Sequence, residues 1–336
     1  MHVFVLTRRL VDIESISNNE SQVAGFLRDY LSELGVRSGG RVEWAEVEAD
    51  RFNVFAFWGN PVVTLSTHMD TVPPFIPSRE DSEHIWGRGA CDAKGIIASM
   101  VAAAERLLGE GVRNFGLLFV VGEERNSAGA KAAVKMQRGS RFLVGGEPTG
   151  NKLALASKGA LRFEIEARGK AAHSAYPELG ESAIDALLDA LEAIRRLPLP
   201  EDPLLGRSTM NIGTIAGGQA PNVIADSAKA EILVRLVGDP DSIRKSFAAA
   251  IGKRAQLMEI LCIPAMRFES IDGLPSTTVS YTTDLPFLSE SWGKPFLIGP
   301  GSIHVAHTAE ERVSKKELSD AVGIYADIVR KLLARA

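Results

Sequence analysis

Four short runs in the first half of the chain are apolar on both faces: Asn53–Trp58, Val62–Leu65, Gly116–Val121 and Arg141–Val144. A strand that alternates apolar and polar residues can leave one face in water, whereas runs like these must be covered on both. Between them lie stretches of helical period. Val23, Phe26, Leu27, Tyr30, Leu31 and Leu34 recur at helical spacing, with a stop near Gly35, and Ile96–Leu108 and Ala128–Met136 read as further helices. Doubly apolar strands interleaved with helices predict an α/β fold, a mostly parallel sheet flanked by helices.

The pattern changes after about residue 158. Ala160–Ala167 alternates through Leu161, Phe163, Ile165 and Ala167, as expected of a sheet with one wet face. Met210–Ile215, Ala228–Leu236 and Ala255–Ala265 read as further strands, Ser182–Leu197 and Ser242–Gly252 as helices. Two helices on one face of an antiparallel sheet make a small α+β domain. From about residue 270 the α/β pattern returns, with a strand at Phe296–Ile298 and a closing helix at Lys315–Ala334. The expected division is a catalytic domain of residues 1–158 plus 269–336, interrupted by an inserted lid or dimerisation domain of residues 159–268, and a chain of 336 residues suits two domains.

A formal net charge of −4 gives no long-range pull toward nucleic acid or an anionic membrane. No apolar run reaches the ~18 residues that a spanning helix needs. The opening Met1–Leu6 has no charged residue before its apolar stretch and meets Arg8-Arg9 almost at once, which makes a poor secretory signal. The two cysteines, Cys91 and Cys262, cannot form a four-thiolate site or a disulfide framework. A cytoplasmic location is expected.

Four predicted strands run into metal-ligand or acid–base residues. Val62–Leu65 leads to His68-Met69-Asp70, Leu117–Val121 to Gly122-Glu123-Glu124, Phe142–Val144 to Glu147, and Phe296–Ile298 to His304 and His307. A fifth candidate, Asp92, sits in the turn-rich loop Trp86–Gly95. Ligands of open α/β sheets bind beyond the carboxyl ends of the strands, where residues distant in sequence meet. A wet loop explains any one of these glutamates; four such strand ends with two histidines point to a metal site. Imidazole and carboxylate without thiolate suit catalytic zinc, manganese or cobalt. Asp70 lies two residues beyond His68, so on extended backbone it shares a side with the ring and can accept its far N–H.

Together the segments Ser66–Pro74, Gly87–Gly95, Gly122–Glu124, Gly146–Thr149 and Gly299–His307 resemble the di-zinc metallopeptidase family that includes acetylornithine deacetylase, succinyl-diaminopimelate desuccinylase, aminoacylase and glutamate carboxypeptidases. The resemblance is ordered and spans most of the chain. It implies two zinc ions per subunit, or cobalt or manganese in their place. His68 and Glu147 would hold one, Glu124 and His307 the other, with Asp92 bridging. Glu123 would be the general base, and the peptide bond Asp92–Ala93 would be cis. Three carboxylates against the four positive charges of two zinc ions leave one positive charge, which favours an anionic tetrahedral intermediate. In the inserted domain, Gly169–Pro177 resembles the lid motif whose histidine, here His173, reaches the partner's site and steadies the oxyanion. Gly217–Asp226 fits the motif that places Asn222 near substrate, and Arg235 fits the arginine that clamps an α-carboxylate. Residues 236–241 depart from the family, which commonly carries an Arg-Pro turn there.

The resemblance implies hydrolysis of the amide bond of a small N-acyl amino acid or short peptide by a homodimer joined through its lid. An acetylornithine deacetylase with a place in arginine biosynthesis is favoured, because Gly299–His307 and Tyr281–Asp284 suit that branch. Acetyl-lysine deacetylase, succinyl-diaminopimelate desuccinylase, a di- or tripeptidase and a carboxypeptidase are alternatives, as is a non-catalytic binding protein on the same fold.

Overall fold

Four strands at the centre of the larger unit run parallel and side by side, in the order Phe115–Val120, Val63–His68, Phe142–Gly145 and Lys294–Leu297. The computed structural model describes residues 1–336, which form two units. The larger comprises Met1–Leu155, Phe268–Thr277 and Thr283–Ala336. Its sheet continues beyond Phe115–Val120 through the antiparallel Arg51–Trp58 and Arg41–Glu48. At the other side Leu153–Ser157 pairs antiparallel with Lys294–Leu297. The expected α/β architecture is present, with a parallel centre and antiparallel margins.

The strand Arg51–Trp58 shows why its sequence lacks a polar face. Successive side chains point to opposite faces. Val54, Ala56 and Trp58 enter the large core with helices Val3–Val11, Ser21–Ser38, Lys94–Gly109 and Lys315–Leu333. Phe55 meets Trp292 edge-on at 5.0 Å, and the Trp292 indole donates to the Ala133 carbonyl at 3.0 Å. Fully burying each large apolar side chain contributes ~1.5–3 kcal/mol. Both faces are therefore held by side chains from this one run.

One local expectation is corrected and two further elements are added. The helix Ser21–Ser38 runs through Gly35 and ends at Gly39, whose φ of 75° supplies the left-handed stop. Val3–Val11 is a helix, because Val3, Leu6, Leu10 and Val11 form a buried stripe. Arg41–Glu48 is a strand although charged residues interrupt it, since it forms the sheet margin and is only partly covered.

The smaller unit comprises Ala156–Arg267 and Thr278–Thr282. Its antiparallel sheet has the order Thr209–Gly217, Ser227–Leu236, Gly159–Arg168 and Gln256–Ile263. Leu161, Phe163, Ile165 and Ala167 point inward, with Ala228, Ala230, Ile232, Val234 and Leu236 beside them. Helices Ala183–Arg195 and Pro240–Ile251 cover that face through Leu187, Ile194, Ile243 and Phe247. The first helix is capped by Ser182, whose hydroxyl accepts the Asp185 N–H at 3.2 Å.

Candidate metal centre

Because the four central strands are parallel, their carboxyl ends share one edge of the sheet. His68 is the last residue of its strand, and Glu147 follows Phe142–Gly145 by two positions. Glu123 and Glu124 follow a turn at Gly122, whose φ is 79° and where a Cβ would lie 2.7 Å from Arg51 Nη2. Glycine is favoured at that turn, where a side chain would be strained and would crowd Arg51. Arg51 is held in turn by the buried Glu20, at 2.6 and 2.9 Å. Asp92 and His307 come from loops, and His307 is itself left-handed at φ 65°.

Asp92 lies between two sets of groups. His68 Nε2 is 3.0 Å from its Oδ1, while His307 Nε2 is 3.4 Å from its Oδ2 and 2.9 Å from Glu124 Oε1. His68, Asp92 and Glu124 each offer one potential ligand atom, and these atoms lie within 4.8 Å of one another. The peptide bond Asp92–Ala93 is cis. Glu147 and Glu123 line one small cavity with His68, Thr67 and Asp284.

His68 Nδ1 faces Asp70, 3.0 Å from its carbonyl oxygen and 3.4 Å from Oδ1. The backbone carbonyl, not the carboxylate expected from the sequence, is the nearer acceptor. The buried Asp70 carboxylate also accepts the Ser17 hydroxyl at 2.7 Å and the N–H groups of Glu123 and Glu124 at 3.1 and 3.2 Å. One carboxylate thus steadies His68 and orients both glutamates.

The electrostatics suit a cation site. Burial pushes Glu123 and Glu147 well above the ordinary carboxylate range, reinforced by Glu147 for the former and Asp92 for the latter. Glu124 is raised chiefly by burial, and Asp284 rises to about 7 for the same reason. Burial opposes charge on His68, but hydrogen bonds to Asp70 and Asp92 override it and raise the ring. His307 is pushed up to about 10 by Asp92 and then Glu124. Both oxygens of Asp284 are buried, and the neighbouring Ser127 side chain offsets only part of its rise. Two imidazoles sit among six carboxyl groups, and burial holds several of the carboxyls toward their neutral form; divalent cations would compensate their ionised form. The hard oxygen and imidazole donors fit zinc, manganese or cobalt. Cys91 is directed elsewhere, its thiol donating to the Ser302 carbonyl at 3.4 Å.

Of the residues picked out in the sequence, His68, Asp70, Asp92, Glu123, Glu124, Glu147 and His307 are brought together. His304 is exposed. His173, Asn222 and Arg235 belong to the smaller unit, where the backbone segments of the first two pair: His173 bridges Val223, and the Ser174 N–H donates to the Asn222 carbonyl at 3.0 Å. Both are exposed, and Arg235 is half-buried in its strand. Sequence reading missed Ser17, Arg88 and Glu311. Ser17 and Glu311 sit in ordinary polar stretches, and Arg88 lies within the Gly87–Gly95 motif, where only Asp92 was given a role.

A parallel sheet with imidazoles and carboxylates at its carboxyl edge defines a metal-dependent hydrolase. Residues 155–258 match the model of the peptidase dimerisation domain of M20 peptidases. A "Peptidase M20 domain-containing protein" of Schizosaccharomyces pombe is 39% identical over 336 residues, covering 96% of this chain and 83% of the relative. A "probable carboxypeptidase" of Aspergillus oryzae is 37% identical over 377 residues, covering 98% of this chain and 87% of that one. Among solved structures, a Bacillus subtilis protein described as a dinuclear metal-binding M20 peptidase superposes with a TM-score of 0.72 at 16% identity, covering 99% and 97% of the two chains. The chain belongs to the M20 peptidase family and is a metallohydrolase acting on amide bonds.

Proposed function

We propose that this protein cleaves the amide bond of a short peptide or N-acyl amino acid that carries a free α-carboxylate, as a carboxypeptidase does, with two zinc ions at its centre. The observation that carries the reading is Asp92, which offers one oxygen beside His68 and the other beside His307 and Glu124. In this reading His68 and Glu147 would hold one cation and Glu124 and His307 the other, with Asp92 serving both. When bound, the cations polarise the scissile carbonyl and lower the pKa of water.

The remaining work falls to the protein. Glu123 is raised by burial and by Glu147, which suits a carboxylate that must take a proton from water and hand it to the leaving amine. Asp70 keeps Glu123 in place through its backbone N–H. Arg235 is the proposed clamp for the substrate carboxylate, Asn222 a substrate contact, and His173 a donor to the developing oxyanion, acting in the partner's site. A homodimer through the smaller unit accords with the dimerisation-domain match. The edge strand Thr209–Gly217 is paired on one side and exposed over most of its length. A cytoplasmic location completes the proposal.

The names of relatives favour a peptide substrate. The run Gly299–His307 favours the acetylornithine deacetylase branch, with acetyl-lysine and succinyl-diaminopimelate as related substrates. The deciding experiment assays protein reconstituted with zinc, cobalt or manganese against dipeptides, N-blocked peptides, acetylornithine, acetyl-lysine and succinyl-diaminopimelate, each with its C-terminal amide. Turnover of free acids and not of amides is expected. Metal-loaded protein that hydrolyses none of the acids would overturn the proposal.

A further inference from the structure

A buried ion pair joins the loops that carry the candidate ligands. Glu311 Oε1 accepts the backbone N–H groups of Gly89, Cys91 and Asp92 at 2.8, 3.3 and 3.2 Å. Its Oε2 accepts Arg88 Nη1 at 2.5 Å. Arg88 in turn donates from Nη1 to the Thr308 carbonyl at 3.2 Å and from Nε to the Pro74 carbonyl at 3.3 Å. Arg88 is 2% and Glu311 1% exposed.

A buried ion pair is poor support for stability alone, because desolvating both charges offsets most of their attraction. Its contacts suggest another task. The backbone between Gly87 and Ala93 belongs to neither helix nor strand, so its N–H groups need acceptors from elsewhere. One carboxylate serves three of them, including that of Asp92. The guanidinium then fixes this loop against the carbonyl that follows His307 and against the segment that follows Asp70. Asp92 has groups facing both its oxygens, so a small shift of its backbone would disturb both halves of the centre.

We infer that Arg88 and Glu311 are positioning residues that set the Asp92 carboxylate and hold the His307 and Asp70 loops in register for metal binding. The inference rests on the proposed metal centre. Outer partners of this kind change metal affinity by ~10–100-fold when removed.

The test measures cobalt affinity by competition with a chromophoric chelator, the visible spectrum of bound cobalt, and melting of the metal-free protein. Glu311→Ala is expected to weaken cobalt binding ~10–100-fold and to alter the spectrum. Glu311→Gln keeps a carbonyl acceptor for the loop and should recover most of the loss. Glu310→Gln, an exposed neighbour, should match wild type in all three. The double variant Arg88→Met with Glu311→Gln orphans no buried charge, so it serves if the alanine variant does not fold. It should bind cobalt more weakly because the links to Thr308 and Pro74 are gone. Wild-type affinity and spectrum in Glu311→Ala, or in the double variant, would overturn the inference alone. A wild-type protein that binds no cobalt would overturn the metal-centre reading and the inference with it.

Discussion

The Ser17 hydroxyl donates to Asp70 Oδ2 at 2.7 Å. A residue near the amino terminus therefore steadies the carboxylate that faces His68 and that receives the Glu123 and Glu124 amides. The network is a single object: disturbing Asp70 disturbs a proposed ligand, the proposed base and a second proposed ligand together.

Asp70→Asn tests that coupling. The amide has one acceptor oxygen where the carboxylate has two, so an N–H or O–H now bonded to Asp70 would face an NH2 group. Metal affinity is expected to fall ~10–100-fold. Ser17→Ala removes one hydrogen bond and should cost about 0.5–1.5 kcal/mol of stability. Metal titration and chemical denaturation read the two effects; unchanged metal affinity in Asp70→Asn would contradict the coupling.

Glu123 and Glu124 are adjacent but should fail differently. Glu123→Ala is expected to lower turnover ~10²–10⁴-fold while metal content stays at the wild-type level. Glu124→Ala should lose metal. Elemental analysis beside a turnover assay separates them, and a Glu123→Ala enzyme as active as wild type would remove the residue from the base role.

Metal binding should be linked to His307. In metal-free protein the ring is pushed up to about 10 by Asp92 and Glu124, from an ordinary value of 6.5. A folded pKa raised above the unfolded one stabilises fully below the unfolded value and is lost as pH rises through the folded one. Metal-free protein should therefore lose stability between pH 6.5 and about 10. Binding of zinc near neutral pH should release a proton from this ring. Melting curves across that range and calorimetry in buffers of different ionisation enthalpy provide the check. Flat stability with no proton release would count against the assignment.

Phe163 is 1% exposed and its ring lies 5.7 Å from that of Phe247 in the core of the smaller unit. Phe163→Ala should cost about 3–5 kcal/mol through lost burial and the cavity left behind. Zinc content should be unaffected, because every proposed ligand lies in the other unit. Thermal melting and metal analysis of the variant would show the separation, and parallel loss of both would deny it.

Much of the frame was legible in the residues themselves. Doubly apolar runs such as Phe142–Val144 announced a covered parallel sheet, and the alternation of Leu161, Phe163, Ile165 and Ala167 announced a sheet with one wet face, because burial of these side chains leaves a period in the sequence. Strand ends at His68, Glu123, Glu124 and Glu147 could be read for the same reason: a parallel strand carries its last residues to a known edge. The stripe of Val3–Val11 was equally present, but the segment was weighed only as a secretory signal, which it fits poorly.

Tertiary structure alone decided the rest. Ser17 acts through a partner 53 positions away, and Arg88 and Glu311 are joined across 223 positions. A hydrogen bond needs one donor and one acceptor in reach, and so leaves no repeating trace along the chain. That Asp70 turns its carbonyl as well as its carboxylate toward His68 depends on the backbone path after the strand. The sequence determined which chemistry the sheet edge carries, because residue type and period are local properties. The fold decided how those groups are aimed and neutralised, because charge and geometry in a buried cavity depend on every neighbour at once.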